Sequence, residues 1–344
     1  MRKGLWIFIA SFFIGATILI VVLTIDSPEQ KDKVYQIGVL MTGNSRLEKF
    51  RGLEQGLYEL GYEKGTFQFD VYNSQDNLKE LETLAKEAVQ NNPDILVALG
   101  AIEALTIKDT MEKQGVSIPV VFAGIAAPKE LGLIDDYRNP GGMFTGVDNN
   151  HLNLSAKRLE LLLNLVPSIE RVIVLYDREL DVSVMSLERV KEAAKELDIP
   201  IVAFQTIGEP ELFENLDHIV KSTDGLMVLP SFHIEALSKE ISEFAMEHSL
   251  PTMGIFEENI QYGFLAGYGV PFFEQGFQSA RLVSLILQGA DPSHISVELP
   301  DQVKFLINDY VRKQIGVSLD QETSLLADFL TTNESLLDES GERP

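Results

Sequence analysis

The chain has 344 residues, 45% of them hydrophobic, and a formal net charge of −24. That length exceeds one small core and suits two domains of ordinary size, and so acidic a surface repels phosphate backbones and excludes nucleic acid as a partner. The chain has no cysteine, which excludes disulfides, thiolate catalysis, Cys-ligated zinc and a lipidated N-terminal Cys.

Arg2 and Lys3 precede an uncharged apolar run over residues 5–25. Roughly 20 apolar residues cross the ~30 Å hydrocarbon layer of a membrane. The positive flank places the N-terminus in the cytoplasm and the remainder outside. A cleaved secretion signal has a shorter apolar region, about 7–15 residues, and a small-x-small site. No Ala-x-Ala follows here. Residues 1–33 are therefore expected to be a single transmembrane anchor helix and its polar linker.

The soluble part opens with a strand over 37–41, then the polar turn Thr42, Gly43, Asn44, Ser45. Leu47, Phe50, Leu53, Leu57 and Leu60 follow at helical spacing. Residues 67–72 alternate as a strand, and Leu78, Leu81, Leu84, Ala85 and Ala88 mark a helix. An apolar strand over 95–99 ends at Gly100, before a helix near 103–113. Pro119 introduces a strand over 120–123 that ends at Gly124. The turn Asn139-Pro140-Gly141-Gly142 precedes a strand over 144–147.

After Asp148-Asn149-Asn150 the rhythm restarts. Helices are expected over 152–165, 184–197, 212–220 and 234–244, alternating with strands over 171–176, 201–205, 226–229 and 252–255. A strand over 265–268, a helix over 272–287, extended segments over 297–300 and 304–307, and a short helix over 309–315 follow. Apolar strands alternating with amphipathic helices predict parallel sheets covered on both faces.

The strand centres Val39, Phe69, Val97 and Val121 map onto Val172, Ala203, Val228 and Met253 at a steady offset of about 130 residues, a domain-sized repeat. The fold class expected is α/β: two doubly wound Rossmann-like lobes joined by a hinge. Lobe 1 takes residues 34–147 plus 270–300, and lobe 2 takes 148–269 plus 301–318. Several crossovers between them make a hinge with a cleft. Residues 319–344 read as an acidic, disordered tail, in which Leu325, Leu326 and Phe329 can seat one helical turn.

No constellation for catalysis is present. The sequence has no G-x-S-x-G elbow and no G-x-x-x-x-G-K-[ST] loop, and no G-x-G-x-x-G follows the first strand. His151, His218, His233, His248 and His294 are scattered, with no H-x-x-x-H pair, and read mostly as surface residues. Neither metal nor cofactor is expected. Ligand binding needs only polar groups and helix N-termini converging on a cleft. Strand ends supply them: Thr42, Gly43, Asn44 and Ser45, then Gly100, Ala101 and Ile102, then Gly124, Ile125 and Ala126. The second half offers Tyr176 and Asp177, Ser231 and Phe232, and Phe256 and Glu257, with Asn149 at the first crossover. Free N–H groups at helix starts attract an anion such as a carboxylate. Glu257 or Asp177 is expected to pair with an ammonium, and Tyr176, Phe232 and Phe256 to supply aromatic walls.

Ile37-Gly38-Val39-Leu40, Phe50-Arg51-Gly52-Leu53, Leu60-Gly61-Tyr62, Asp94-Ile95-Leu96-Val97-Ala98-Leu99-Gly100 and Ile118-Pro119-Val120-Val121-Phe122-Ala123 stand in a characteristic order. The Asn-Pro-Gly-Gly turn with Thr145-Gly146-Val147, then Val174-Leu175-Tyr176 and Gly267-Tyr268-Gly269-Val270, extend it. Over residues 35–316 the chain resembles the substrate-binding proteins of ABC transporters of the tryptophan/tyrosine-type family. The resemblance implies a type 1 periplasmic-binding-protein fold, with three hinge strands and a cleft that closes on a ligand. The chain departs from that family at Ala101 and at Ala126-Ala127-Pro128, where the family has Thr and Thr-Asp-Pro. It also has Pro230-Ser231-Phe232 in place of a polar triplet, and no lipobox cysteine.

The expected function is an extracytoplasmic solute-binding protein of an ABC importer, anchored in the cell membrane and handing a small molecule, an amino acid or another small apolar-bodied acid, to a permease. The alternative is a ligand-sensing or partner-docking module of a membrane signalling system.

Overall fold

The computed structural model describes residues 33–206, 211–319 and 321–330. The apolar run over 5–25, and with it the expected anchor, lies outside the described residues. Among the described residues no helix is long and apolar enough to cross a membrane.

The first half runs β1 (Tyr35–Met41), a 3₁₀ turn (Asn44–Arg46), α1 (Leu47–Glu59), β2 (Phe67–Asn73), α2 (Leu78–Gln90), β3 (Ile95–Ala98), α3 (Ala101–Gln114), β4 (Val120–Ile125) and β5 (Phe144–Asp148). The second half runs α4 (His151–Leu165), β6 (Arg171–Tyr176), α5 (Asp181–Glu196), β7 (Ile201–Gln205), α6 (Leu212–Asp217) and β8 (Asp224–Val228). It continues with α7 (Phe232–Ala236), α8 (Ser238–Glu247), β9 (Thr252–Gly254), α9 (Glu257–Tyr262) and β10 (Ala266–Gly269). Then come α10 (Phe272–Leu287), β11 (Lys304–Asn308), α11 (Asp309–Gln314), α12 (Gln321–Leu326) and β12 (Asp328–Leu330).

Two separate sheets result. The first has the order β2-β1-β3-β4-β5, with every pair parallel. The second has the order β12-β11-β10-β9-β8-β6-β7. Its β7-β6-β8-β9-β10 portion repeats the strand order of the first sheet, as the steady offset requires. β11 runs antiparallel to β10, and β12 lies parallel to β11. Residues 321–330, placed in the tail by composition, thus add a helix and an edge strand to lobe 2. Phe329 faces Ile307 in that pairing. Three residues pairing with an existing edge leave almost no signature of their own in sequence. The helix expected over 234–244 is interrupted at Leu237, which ends α7 and opens α8.

Alternation along each strand builds a core on both faces of each sheet. In β1 and β3, Ile37, Val39, Met41, Ile95 and Val97 point to one face, and Leu40, Leu96 and Ala98 to the other. α2 and α3 cover the second face, while α1 and α10 cover the first. In lobe 2, Val172 and Val174 face α4 and α5, whereas Ile173 and Leu175 face α6 to α9.

α10 follows β10 of the second sheet yet completes the first lobe. It lies against α1 at close backbone range. A Cβ at Gly52 would stand 2.0 Å from the Phe273 carbonyl, and one at Gly276 would stand 1.8 Å from the Lys49 carbonyl. Glycine here permits a helix crossing closer than side chains allow.

The chain passes between lobes after β5, where Asp148 is followed by His151 of α4, and returns between Gly269 and Phe272. It crosses a third time between Glu298, bridged to Val147 of lobe 1, and Lys304 of β11. Three covalent passes on one side leave the opposite edges free to open and close.

Candidate ligand site between the lobes

The carboxyl ends of both sheets face each other across the gap, and a cavity of ≈ 160 Å³ lies between them. That is room for on the order of ten waters, the scale of one amino acid. Lobe 1 lines it with Gly100, Ala101, Ile102 and Glu103, then Gly124, Ile125 and Ala126, and with Arg46 and Lys49 from α1 and the turn before it. Lobe 2 lines it with His151, Leu180, Val182, Ser231, Phe232, Glu235 and Phe256, among others. Asn149 sits where the first pass enters.

Lys49 carries the lobe-1 wall. It occupies the buried stripe of α1, four residues before Leu53, and is 2% exposed. Its Nζ donates to the carbonyls of Leu99 at 2.9 Å, Ala123 at 3.0 Å and Gly124 at 3.2 Å. One ammonium therefore ties α1 to the ends of β3 and β4. Burial, reinforced by neighbouring Arg46, pulls the group down to about 7. Gly124 has φ +76°, a left-handed conformation in which a side chain would collide with Gln275. That conformation breaks the β4–β5 register after Ala123 and lets the Gly124 carbonyl accept from both Lys49 and Asn149.

Arg46 crosses the gap. Its two Nη atoms donate to the Glu235 carboxylate at 2.7 and 3.1 Å, a bidentate pair linking the turn after β1 to α7 of the other lobe. Burial alone would lower this guanidinium, but Glu235 and Glu103 outweigh it and hold the charge firmly. Glu103 is fully buried at the start of α3. Its Oε1 accepts from Thr42 N and Oγ1, both at 3.0 Å, and lies 3.9 Å from Arg46 Nε. Beyond the pair, Glu258 is pushed up to about 8 by burial and by Glu235.

Three buried polar atoms of lining residues have no hydrogen-bond partner among the described residues: Arg46 Nε, Glu103 Oε2 and His151 Nε2. Two are donors or can donate, and one is an acceptor. Around them the walls are apolar, from Ile102, Leu105, Leu131, Leu180, Val182 and Phe232. Phe256 stands edge-on to His151, with ring centroids 5.0 Å apart, and packs on Phe272 at 4.8 Å. The Arg46 guanidinium and Lys49 Nζ lie over that second ring at 5.3 and 5.0 Å. Among the described residues no group of His, Asp and Glu is gathered to hold a metal ion.

The structure sorts the residues expected from sequence. Gly100, Ala101, Ile102, Gly124, Ile125, Ala126, Asn149, Ser231, Phe232 and Phe256 all line the cavity. Thr42, Gly43, Asn44 and Ser45 do not. Thr42 is used up by Glu103, Asn44 binds Asn73, and the 3₁₀ turn sends Arg46 and Lys49 into the gap instead. Tyr176 packs against the α4–α5 side of its sheet. Asp177 is fully buried and saturated by Ser231 Oγ, His233 Nδ1 and Glu179 N, so it orders a loop and does not meet an ammonium. Glu257 does not line the cavity and borders a separate small space with Lys304. His151, read among mostly surface histidines, is 1% exposed.

Ser231 shows how the second lobe shapes its rim. Its Oγ accepts from His233 N and Ile234 N and donates to Asp177. Ser231→Ala removes the α7 cap, about 1 kcal/mol, and leaves a buried carboxylate short of one donor, about 1–3 kcal/mol more. Denaturant unfolding of the variant is expected to show a loss of about 2–4 kcal/mol confined to lobe 2.

Two similar α/β lobes, three hinge passes and an amphipathic gap define a clamshell binding protein. Residues 35–330 match the family described as ABC transporter substrate binding protein, and the chain belongs to that family. A curated relative, the tyrosine-binding protein of Clostridioides difficile strain R20291, is 23% identical over 293 residues, covering 85% of this chain and 83% of that one. Among solved structures, an ABC domain in complex with L-Trp from Streptococcus pneumonia has a TM-score of 0.78 at 21% identity, covering 86% of this chain and 99% of that one. The ligand-free, open structure of a Clostridium difficile substrate-binding protein with adhesive properties has a TM-score of 0.69 at 19% identity, covering 87% and 100%. This chain is thus a substrate-binding protein of an ABC transporter, in a family of solute binders rather than enzymes. Its small molecule is held for a membrane permease, and its soluble part works outside the cytoplasm.

Proposed function

We propose that the cavity between the lobes takes an α-amino acid with a large apolar side chain. The observation that carries this reading is the set of unpartnered buried atoms in one cavity, donors at Arg46 and His151 and an acceptor at Glu103. A zwitterion offers a carboxylate to the first two and an ammonium to the third, since buried polar groups require partners. The apolar walls suit the side chain. The names of the relatives, one tyrosine-binding and one complexed with L-Trp, agree with an aromatic side chain. Lobe closure follows from differential affinity for the closed state, and the closed form is what the permease takes up. We further assign residues 5–25 as an uncleaved anchor holding the soluble part at the outer membrane face, on the strength of the flanking Arg2 and Lys3.

Calorimetric titration with each of the common amino acids tests the reading. L-tyrosine or L-tryptophan is expected to bind in the micromolar range or tighter, and binding no tighter than millimolar by any amino acid overturns it. The same experiment carries a proton signature. An arriving carboxylate raises Lys49, which stands near 7, so binding at pH 8 takes up a proton and binding at pH 5.5 does not. Observed enthalpies in buffers of different ionisation enthalpy measure the uptake. Glu258 titrates in the same range, and Lys49→Met separates the two.

A further inference from the structure

Arg158 of α4 is fully buried and meets no carboxylate among the described residues. Its Nε donates to the Tyr268 carbonyl at 2.7 Å, and one Nη donates to the His151 carbonyl at 3.0 Å and, more weakly, to Ser155 Oγ at 3.4 Å. The other Nη stands 2.9 Å from His151 Nδ1. A guanidinium has donors only. Nδ1 must therefore accept, which forces the ring proton of a neutral imidazole onto Nε2. A doubly protonated ring is excluded, because burial, then Arg158 and Lys49, hold His151 well below the usual histidine range. The ring plane is fixed as well, by the edge-on contact with Phe256. Nε2–H, on the edge of the ring away from Nδ1, has no acceptor among the described residues.

We propose that His151 is an obligate hydrogen-bond donor to a carboxylate oxygen of the cleft ligand, with its tautomer locked by Arg158. The inference rests on the reading of the cavity as an amino-acid site. Electrostatics selects the carboxylate. Arg158 and Lys49 flank this corner, and the hydrogen bonds of both go to neutral groups: carbonyls, Ser155 and His151 for Arg158, and carbonyls alone for Lys49. Buried cations call for a counter-charge, and the protein places its carboxylates on Arg46 instead. An amine at Nε2–H would meet like charge and a donor it cannot use. Arg158 is a positioning residue. It holds the ring and also joins the first hinge pass, at His151, to the second, at Tyr268.

The test uses the full-length protein in detergent, labelled with ¹⁵N-histidine, and His151→Phe assigns the signal among the five histidines. In the free protein the His151 ring is expected to be protonated at Nε2 and bare at Nδ1, and L-tyrosine shifts the Nε2 proton. His151→Phe keeps the ring shape and weakens L-tyrosine binding by about tenfold or more. His151→Gln, which sets an amide N–H where Nε2 stood, recovers affinity to within about threefold of the parent. Tyramine, the same molecule without the carboxylate, neither competes nor moves the ring signal. Arg158→Lys keeps a donor and the tautomer, whereas Arg158→Met mixes the tautomers. A ring protonated at Nδ1, a ring proton unmoved by bound L-tyrosine, tyramine binding as tightly as L-tyrosine, or an unweakened His151→Phe each overturns the proposal. If L-tyrosine and L-tryptophan fail to bind, the amino-acid reading falls separately. The ring proton is then followed against phenylacetate and benzoate, and a signal moved by neither overturns the donor role too.

Discussion

Arg46→Met is expected to hold the cleft open. Among the described residues the guanidinium is the only cation bonded to Glu235, across the gap, and it also faces Glu103 at 3.9 Å. Without it, closure would bring Glu235 against Glu103 and Glu258 with no cation bonded to any of them. Removing one member of a buried ion pair costs about 3–5 kcal/mol. Here that cost falls on the closed state alone, because open lobes return Glu235 to water. About 3 kcal/mol shifts the closed-to-open ratio by roughly a hundredfold. Small-angle scattering should then report a larger radius of gyration, and spin labels on the two rims a longer distance, in the presence of ligand as well as without it. The double variant Arg46→Met with Glu235→Met should close again, since apolar residues of similar volume replace a buried pair at little cost. A single variant that closes as the parent does would show that the pair is incidental to closure.

Gly276→Val is expected to give the largest loss of stability. A Cβ at this position would stand 1.8 Å from the Lys49 carbonyl and 3.0 Å from Leu53 N, both backbone atoms of α1. Backbone cannot swing aside as a side chain does, so the two helices must separate. Overpacking typically costs about 1–3 kcal/mol, and a branched side chain against backbone sits at or above the top of that range. At roughly 2–4 °C per kcal/mol for a domain of this size, the lobe-1 transition should fall by about 6–12 °C in a calorimetric scan. Lobe 2 has no share in this crossing and should melt unchanged. The variant should also weaken ligand binding, because Lys49 rides on the displaced turn.

Much of the architecture is legible in the sequence. β3 and β4 read as uninterrupted apolar runs because both faces of their sheet are covered. The offset between Val39 and Val172, kept by the following strands, pointed to two copies of one α/β architecture, and the two sheets share one strand order. The ten expected residues that line the cavity share one property: they sit at or beside the carboxyl end of a strand or at the first crossover, where such sheets bind ligands. The residues missed were polar ones at apolar phase. Lys49 stands on the Leu53–Leu57 stripe, Glu103 on the Ile107–Met111 stripe, and His151 on the Ser155–Leu159–Leu162 stripe. A charge or imidazole in a buried stripe was a signal in the sequence, and periodicity read from apolar residues alone passes over it.

The sequence by itself determined the parallel core of the two sheets, their order of elements and the strand ends that border the gap. These follow from local period and burial, which neighbouring residues carry. Only the tertiary structure decided which side chains meet there. Arg46 finds Glu235 across 189 positions of chain, and Arg158 finds Tyr268 across 110. Such pairings depend on how lobes and hinge passes come together in space, and no local pattern records them. The same holds for β12, whose three residues become a strand because β11 offers an unpaired edge.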